Sequence, residues 1–160
     1  MLSYMFEIRQ AFLFLIVLNS NTFNVNMEPK YTTPDIIASM WNLPPNCPAP
    51  VFPLIYYEWL KGVECRGFIR LEHLIGDIDF VGYPLENDDI LIDSLGRVFD
   101  LKFDEFVFPN SVIATWSEDE LKQNIIPALN YNGNAEFEKQ VLNEKNVADI
   151  ISKMATFFTW

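Results

Sequence analysis

Hydrophobic and polar positions change rhythm along the chain, and each change predicts a different kind of element. Residues 11–18 (Ala-Phe-Leu-Phe-Leu-Ile-Val-Leu) form an unbroken apolar run followed by an Asn-rich stretch. Residues 65–71 alternate instead: Arg66, Phe68 and Arg70 share one face, and Cys65, Ile69 and Leu71 the other. Period-two alternation predicts a half-buried strand. Residues 146–158 carry Val147, Ile150, Ile151, Met154 and Phe158 at helical spacing, which predicts an amphipathic helix.

Turn and cap chemistry sharpens these predictions. Residues 90–101 hold two strand-like runs around Asp93-Ser94-Leu95-Gly96, and an Asp and a Gly there suit a tight turn with one left-handed residue. This predicts a β-hairpin, with its second strand continuing through Phe103 and another beginning near Phe106. Ser117-Glu118-Asp119-Glu120 has the form of a capping box. Leu121, Ile125 and Leu129 follow at four-residue spacing, with Pro127 expected to end or kink that helix. Residues 135–142 predict a further helix. Thr33-Pro34-Asp35 predicts a helix start, which Pro44 and Pro45 must terminate. Five of the ten prolines lie in residues 44–53, a stretch expected to be a stiff connection on the core rather than a ligand for an aromatic groove. Residues 51–60 predict a strand or a buried edge, and Lys61-Gly62 a turn. Strands in the middle and helices at the end predict an α+β fold. Its elements are an antiparallel sheet with a central β-hairpin and a helical C-terminal third packed on one face.

The apolar run at 11–18 complicates the domain boundaries. It is too short to span a bilayer. It has the length of a signal-peptide centre, but Glu7 opposes Arg9 before it and no Ala-x-Ala-like site follows. Residues 1–26 are therefore an extension, a buried strand or a weak signal-like segment, and Met27 is an alternative start. Residues 27–160 form a single α+β domain in this reading.

Composition adds a constraint on partners. Eleven basic against 22 acidic residues give a formal charge of −11, and the basic residues form no run. Phosphate backbones are held by clustered Lys and Arg, so nucleic acid and anionic membrane are excluded as natural partners. A basic protein surface fits. Two cysteines are too few for a secreted disulfide scaffold, and the expectation is two reduced thiols in a cytoplasmic protein.

Candidate chemistry is thin. His73 is the only histidine, and nothing in the sequence positions it as a base for Cys65. Two cysteines and one histidine fall short of a four-ligand zinc site. From Asp77 to Glu105 nine acids face only Arg97 and Lys102. Asp77-x-Asp79, Gly82 and Asp88 echo a calcium loop, but Val81 and Leu85 occupy ligand places, so it fails as an EF-hand. The expectation is no catalytic residue, no metal and no cofactor. Asp77, Asp79, Glu86, Asp88, Asp89, Asp93 and Tyr83 are instead the candidate partner-binding residues, with Phe80, Phe106 and Trp116 as further anchors or core. In size and charge, though in no motif, such a chain looks like an inhibitor or immunity protein that neutralises a basic, nuclease-like toxin. The rival classes are a carboxylate-based metal-binding protein or enzyme and an exported accessory protein.

Overall fold

The computed structural model describes residues 43–58, 65–70, 89–104, 106–131 and 134–159, all within the unit Tyr31–Trp160. They form an antiparallel sheet of β1 (Leu54–Glu58), β2 (Cys65–Phe68), β3 (Asp89–Asp93), β4 (Arg97–Asp104) and β5 (Phe106–Thr115). Helices α1 (Glu118–Tyr131), α2 (Ala135–Leu142) and α3 (Val147–Phe157) follow. The strand order is β2-β1-β3-β4-β5. This is the α+β arrangement that the pattern predicts. The apolar run at 11–18, the helix start at Thr33 and the turn at Lys61-Gly62 lie outside the described residues.

The hairpin β3–β4 forms where turn chemistry places it, with Ile92 paired to Val98 and Leu91 to Phe99. Its turn closes through the Gly96 amide donating to the Asp93 carbonyl at 2.8 Å. Gly96 has φ of 76°, the left-handed conformation that glycine adopts without a Cβ penalty. The Asp93 side chain then caps the turn from inside. Its Oδ1 accepts from the amides of Leu95 (3.0 Å) and Arg97 (2.9 Å).

Successive strand residues point to opposite faces of a sheet, and the buried residues divide accordingly. Ile55, Tyr57, Ile90, Ile92 and Val98 join Leu121, Ile125, Leu129, Val141, Ile150, Ile151 and Met154 in one cluster, which is the face under the helices. Leu54, Tyr56, Phe68, Leu91 and Phe99 make the other cluster with Cys47, Leu43 and Phe52. The proline-rich segment therefore lies on the second face as a strap, as expected of a stiff connection. β1 lies between β2 and β3 and is no edge, so Tyr56 and Tyr57 are both buried, one on each face. Cys47 and Cys65 are both buried, share no disulfide and belong to opposite clusters.

Three local features seat the helices. The capping box forms: the Ser117 amide donates to Glu120 Oε2 at 2.8 Å, and the Glu120 amide donates back to Ser117 Oγ at 3.4 Å. Asn134 and Asn146 cap α2 and α3 through Phe137 and Asp149 amides. Pro127 does not end α1, which runs on to Tyr131. Pro127 is exposed, and so is Gln123, whose carbonyl is the acceptor that the missing amide would have used. The Tyr57 hydroxyl ties the sheet to α1 by donating to the Asn124 carbonyl at 3.1 Å.

α3 meets β2 backbone to backbone at Gly67. The Gly67 amide donates to the Phe158 carbonyl at 3.1 Å, and Thr159 Oγ1 donates to the Gly67 carbonyl at 3.1 Å. A Cβ on Gly67 would collide with the carbonyl oxygen and the Cα of Ala155. Neither neighbour is a flexible side-chain end that can swing away. Gly67→Ala is therefore expected to lift α3 from the sheet and cost about 3 kcal/mol, the upper part of the usual overpacking range. Thermal melts of the two proteins check this: a fall of roughly 10 °C is expected, and an unchanged midpoint would defeat the packing argument.

Candidate functional site

The described part of the acidic segment is largely withdrawn into the fold. Asp93 is fully buried (0% exposed) and Asp89 nearly so (6%). Asp93 Oδ2 accepts from the Val51 amide at 3.1 Å and from Arg97 Nε at 2.8 Å, and it is ion-paired with Arg97 Nη2. Arg97 Nη2 also donates to the Ala49 carbonyl at 2.9 Å. Its guanidinium sits 5.5 Å from the Phe99 ring centroid. Asp89 opens β3, where it pairs with Glu58 of β1. Burial thus takes Asp89 and Asp93 off the surface on which a partner could dock. Asp77, Asp79, Tyr83, Glu86 and Asp88 lie outside the described residues, as do His73 and the calcium-loop echo. Trp116 is buried in the core under the helices, and Phe106 lies on β5.

Asp100 is the third described acid of this segment with an internal role. It accepts from Asn110 Nδ2 at 2.8 Å, the Ser111 amide at 2.6 Å and Ser111 Oγ at 2.7 Å, so it fastens β4 to β5. Ser111 is its direct cross-strand partner, beside one of two register shifts in that ladder.

Exposed acids gather elsewhere, where the hairpin turn meets the starts of α1 and α3. Gly96 brings these together: the Trp116 amide donates to its carbonyl at 2.8 Å, and a Cβ on it would meet Val147 at 3.1 Å. Around this end lie Asp119 and Glu120 in the first turn of α1 and Asp149 in that of α3. Acids there favour both helices by complementing their positive ends. Lys122 bridges Glu118 (2.5 Å) and the Glu144 carbonyl (2.6 Å), while Lys153 pairs with Glu144 at 2.9 Å. Hydrogen bonds from the Ser117 hydroxyl and amide hold the Glu120 carboxyl below its ordinary pKa. At the tip stands Leu95, 56% exposed beside buried Ser94 and Gly96. The capping box at Ser117–Glu120 is a signal for the α1 acids, but it points to a helix start and says nothing of a surface; Asp149 has no such signal in the sequence reading.

The arrangement can attract a cation-rich surface and offer it one apolar contact. Among the described residues no group of three or more His, Cys, Asp or Glu side chains is placed to hold a metal ion. No described helix is long and apolar enough to cross a membrane.

The Asp100 bonds carry a pH dependence. Burial raises the carboxyl's pKa, but the Ser111 and Asn110 hydrogen bonds and the Lys102 charge together outweigh it, so the pKa falls below the ordinary 3.8. A depressed folded-state pKa contributes stability above the unfolded value, and this is lost as pH falls through the folded one. Asp100→Asn is therefore expected to lower Tm at pH 7 by a few degrees, about 1 kcal/mol for a partly exposed charged bond. The gap to the parent protein should close as the pH drops below 3.8. Melts from pH 2.5 to 7 measure it, and a gap independent of pH would contradict the assignment.

No family model, curated protein or solved structure matches the chain, so the geometry stands without a relative to compare it with.

Proposed function

We propose that the chain is a small acidic binding protein, not an enzyme, that docks on a basic protein. Its role would be that of an inhibitor or immunity protein blocking a nuclease-like toxin. A surface that holds phosphates is electropositive, so an acidic protein is steered onto it and covers it. The observation that carries the proposal is that the hairpin turn, with Leu95 exposed, adjoins the starts of α1 and α3, whose first turns carry Asp119, Glu120 and Asp149. The formal charge of −11 supports it, as does the engagement of Arg97, Lys122 and Lys153 with the protein's own acids. Asp77, Asp79, Tyr83, Glu86 and Asp88 are proposed as further partner-binding residues from the sequence alone. Two cysteines buried in opposite clusters, with no disulfide between them, support a cytoplasmic location.

The test begins with a partner recovered from host lysate by the full chain at low salt. A basic partner is expected, associating at least about tenfold more slowly when salt rises from 50 to 500 mM, as steering is screened. Asp88→Asn and Asp119→Asn should each slow association, while Leu95→Ala should hasten dissociation. Asp89→Asn belongs outside this series, since its carboxylate is buried and its loss reports on folding. A neutral or acidic partner, or kinetics indifferent to salt and to these changes, would sink the proposal.

A further inference from the structure

The two faces of the sheet are covered by very different means. Helices α1, α2 and α3 are hydrogen-bonded units whose buried residues share one core cluster with the sheet. Residues 43–53 have no ladder of their own, and Pro44, Pro45, Pro48, Pro50 and Pro53 have no amide to donate. Hydrogen bonds between this strap and the β3–β4 hairpin converge on a single point. The Val51 amide donates to Asp93 Oδ2, Ser94 donates through its amide and its hydroxyl to the Val51 carbonyl (both 3.0 Å), and Arg97 donates to the Ala49 carbonyl. Residues 43–48 are held by side-chain packing and by one internal turn, the Cys47 amide to the Pro44 carbonyl at 2.8 Å.

We infer that residues 43–53 are a clasped strap that opens as a unit while the sheet and its helices stay folded, with Asp93 and Arg97 as the clasp. Few backbone hydrogen bonds and short apolar burial are the conditions under which a segment opens below the free energy of global unfolding. Opening uncovers the face built from Leu54, Tyr56, Leu91 and Phe99. It also uncovers Cys47, whose thiol burial and the nearby Asp100 push above its ordinary pKa, against the pull of Arg97. Cys47 therefore reports on the clasp, and Gly67 on the opposite face supplies a control that loosens the helices instead.

The test labels the native full-length protein with a thiol reagent and follows Cys47 by peptide mass spectrometry over a low-denaturant series. Labelling of Cys47 is expected to proceed with little dependence on denaturant below the unfolding transition. Asp93→Asn should speed it by about tenfold or more, the weight of one lost charged hydrogen bond. Gly67→Ala, which weakens the helix face, should leave it nearly unchanged. Cys47 labelling that tracks global unfolding in the parent protein, or that responds to Gly67→Ala as strongly as to Asp93→Asn, would overturn the inference. The parent series decides the matter even where a variant does not fold.

Discussion

The carboxylate of Asp93 is buried with no exposed surface, and the arrangement around it follows from what that burial demands. An ionised carboxylate taken out of water costs several kcal/mol unless its oxygens are paired and hydrogen-bonded. Here the donors come from three pieces of chain: the strap through Val51, the turn through Leu95, and β4 through the Arg97 amide and guanidinium. Satisfying one side chain therefore fixes the shape of the turn, the start of β4 and the position of the strap together. The turn in turn sets Gly96 against Trp116, which fixes where the chain enters α1.

Such coupling explains which parts of the fold were legible in the sequence. The hairpin and the α1 capping box were readable because their determinants lie within four residues of each other, at 93–97 and 117–120. The face of α3 was readable because burial follows its own helical period, with Ile150, Ile151 and Met154 all buried. Gly67 carried no signal, because its meaning depends on Ala155 arriving from the far end of the chain. Pro127 does not end α1 for a similar reason: the cost of a proline in a helix depends on whether the freed carbonyl is on the solvent side, which spacing does not report. Residues 51–60 read equally as a strand or a buried edge because a strand buried on both faces shows no alternation.

The acidic segment shows the same limit applied to charge. Nine acids in residues 77–105 look like a surface when counted along the chain. Three of those that the structure describes have inward duties or positions: Asp93 in the clasp, Asp100 between β4 and β5, and Asp89 buried at the start of β3. Exposed acids stand instead in the first turns of α1 and α3, and only those of α1 belong to a capping pattern legible in the sequence. Charge per length of sequence and charge per area of surface are different quantities, and only the second one steers a partner.

The clasp also accounts for why the second face needs a charged pair at all. Proline removes the amides through which a covering segment would otherwise join the sheet as a strand. What remains is apolar contact from Leu43, Cys47 and Phe52, which is favourable but non-directional and tolerates sliding along the face. Hydrogen bonds to Asp93, Ser94 and Arg97 supply the missing direction, because each has an angular preference that apolar contact lacks. Replacing the Asp93–Arg97 pair with well-packed apolar residues could preserve stability, as buried ion pairs often contribute little net free energy. It would leave only the Ser94 bonds to the Val51 carbonyl to set the register of the strap on the sheet, so the role of the pair is positional before it is energetic.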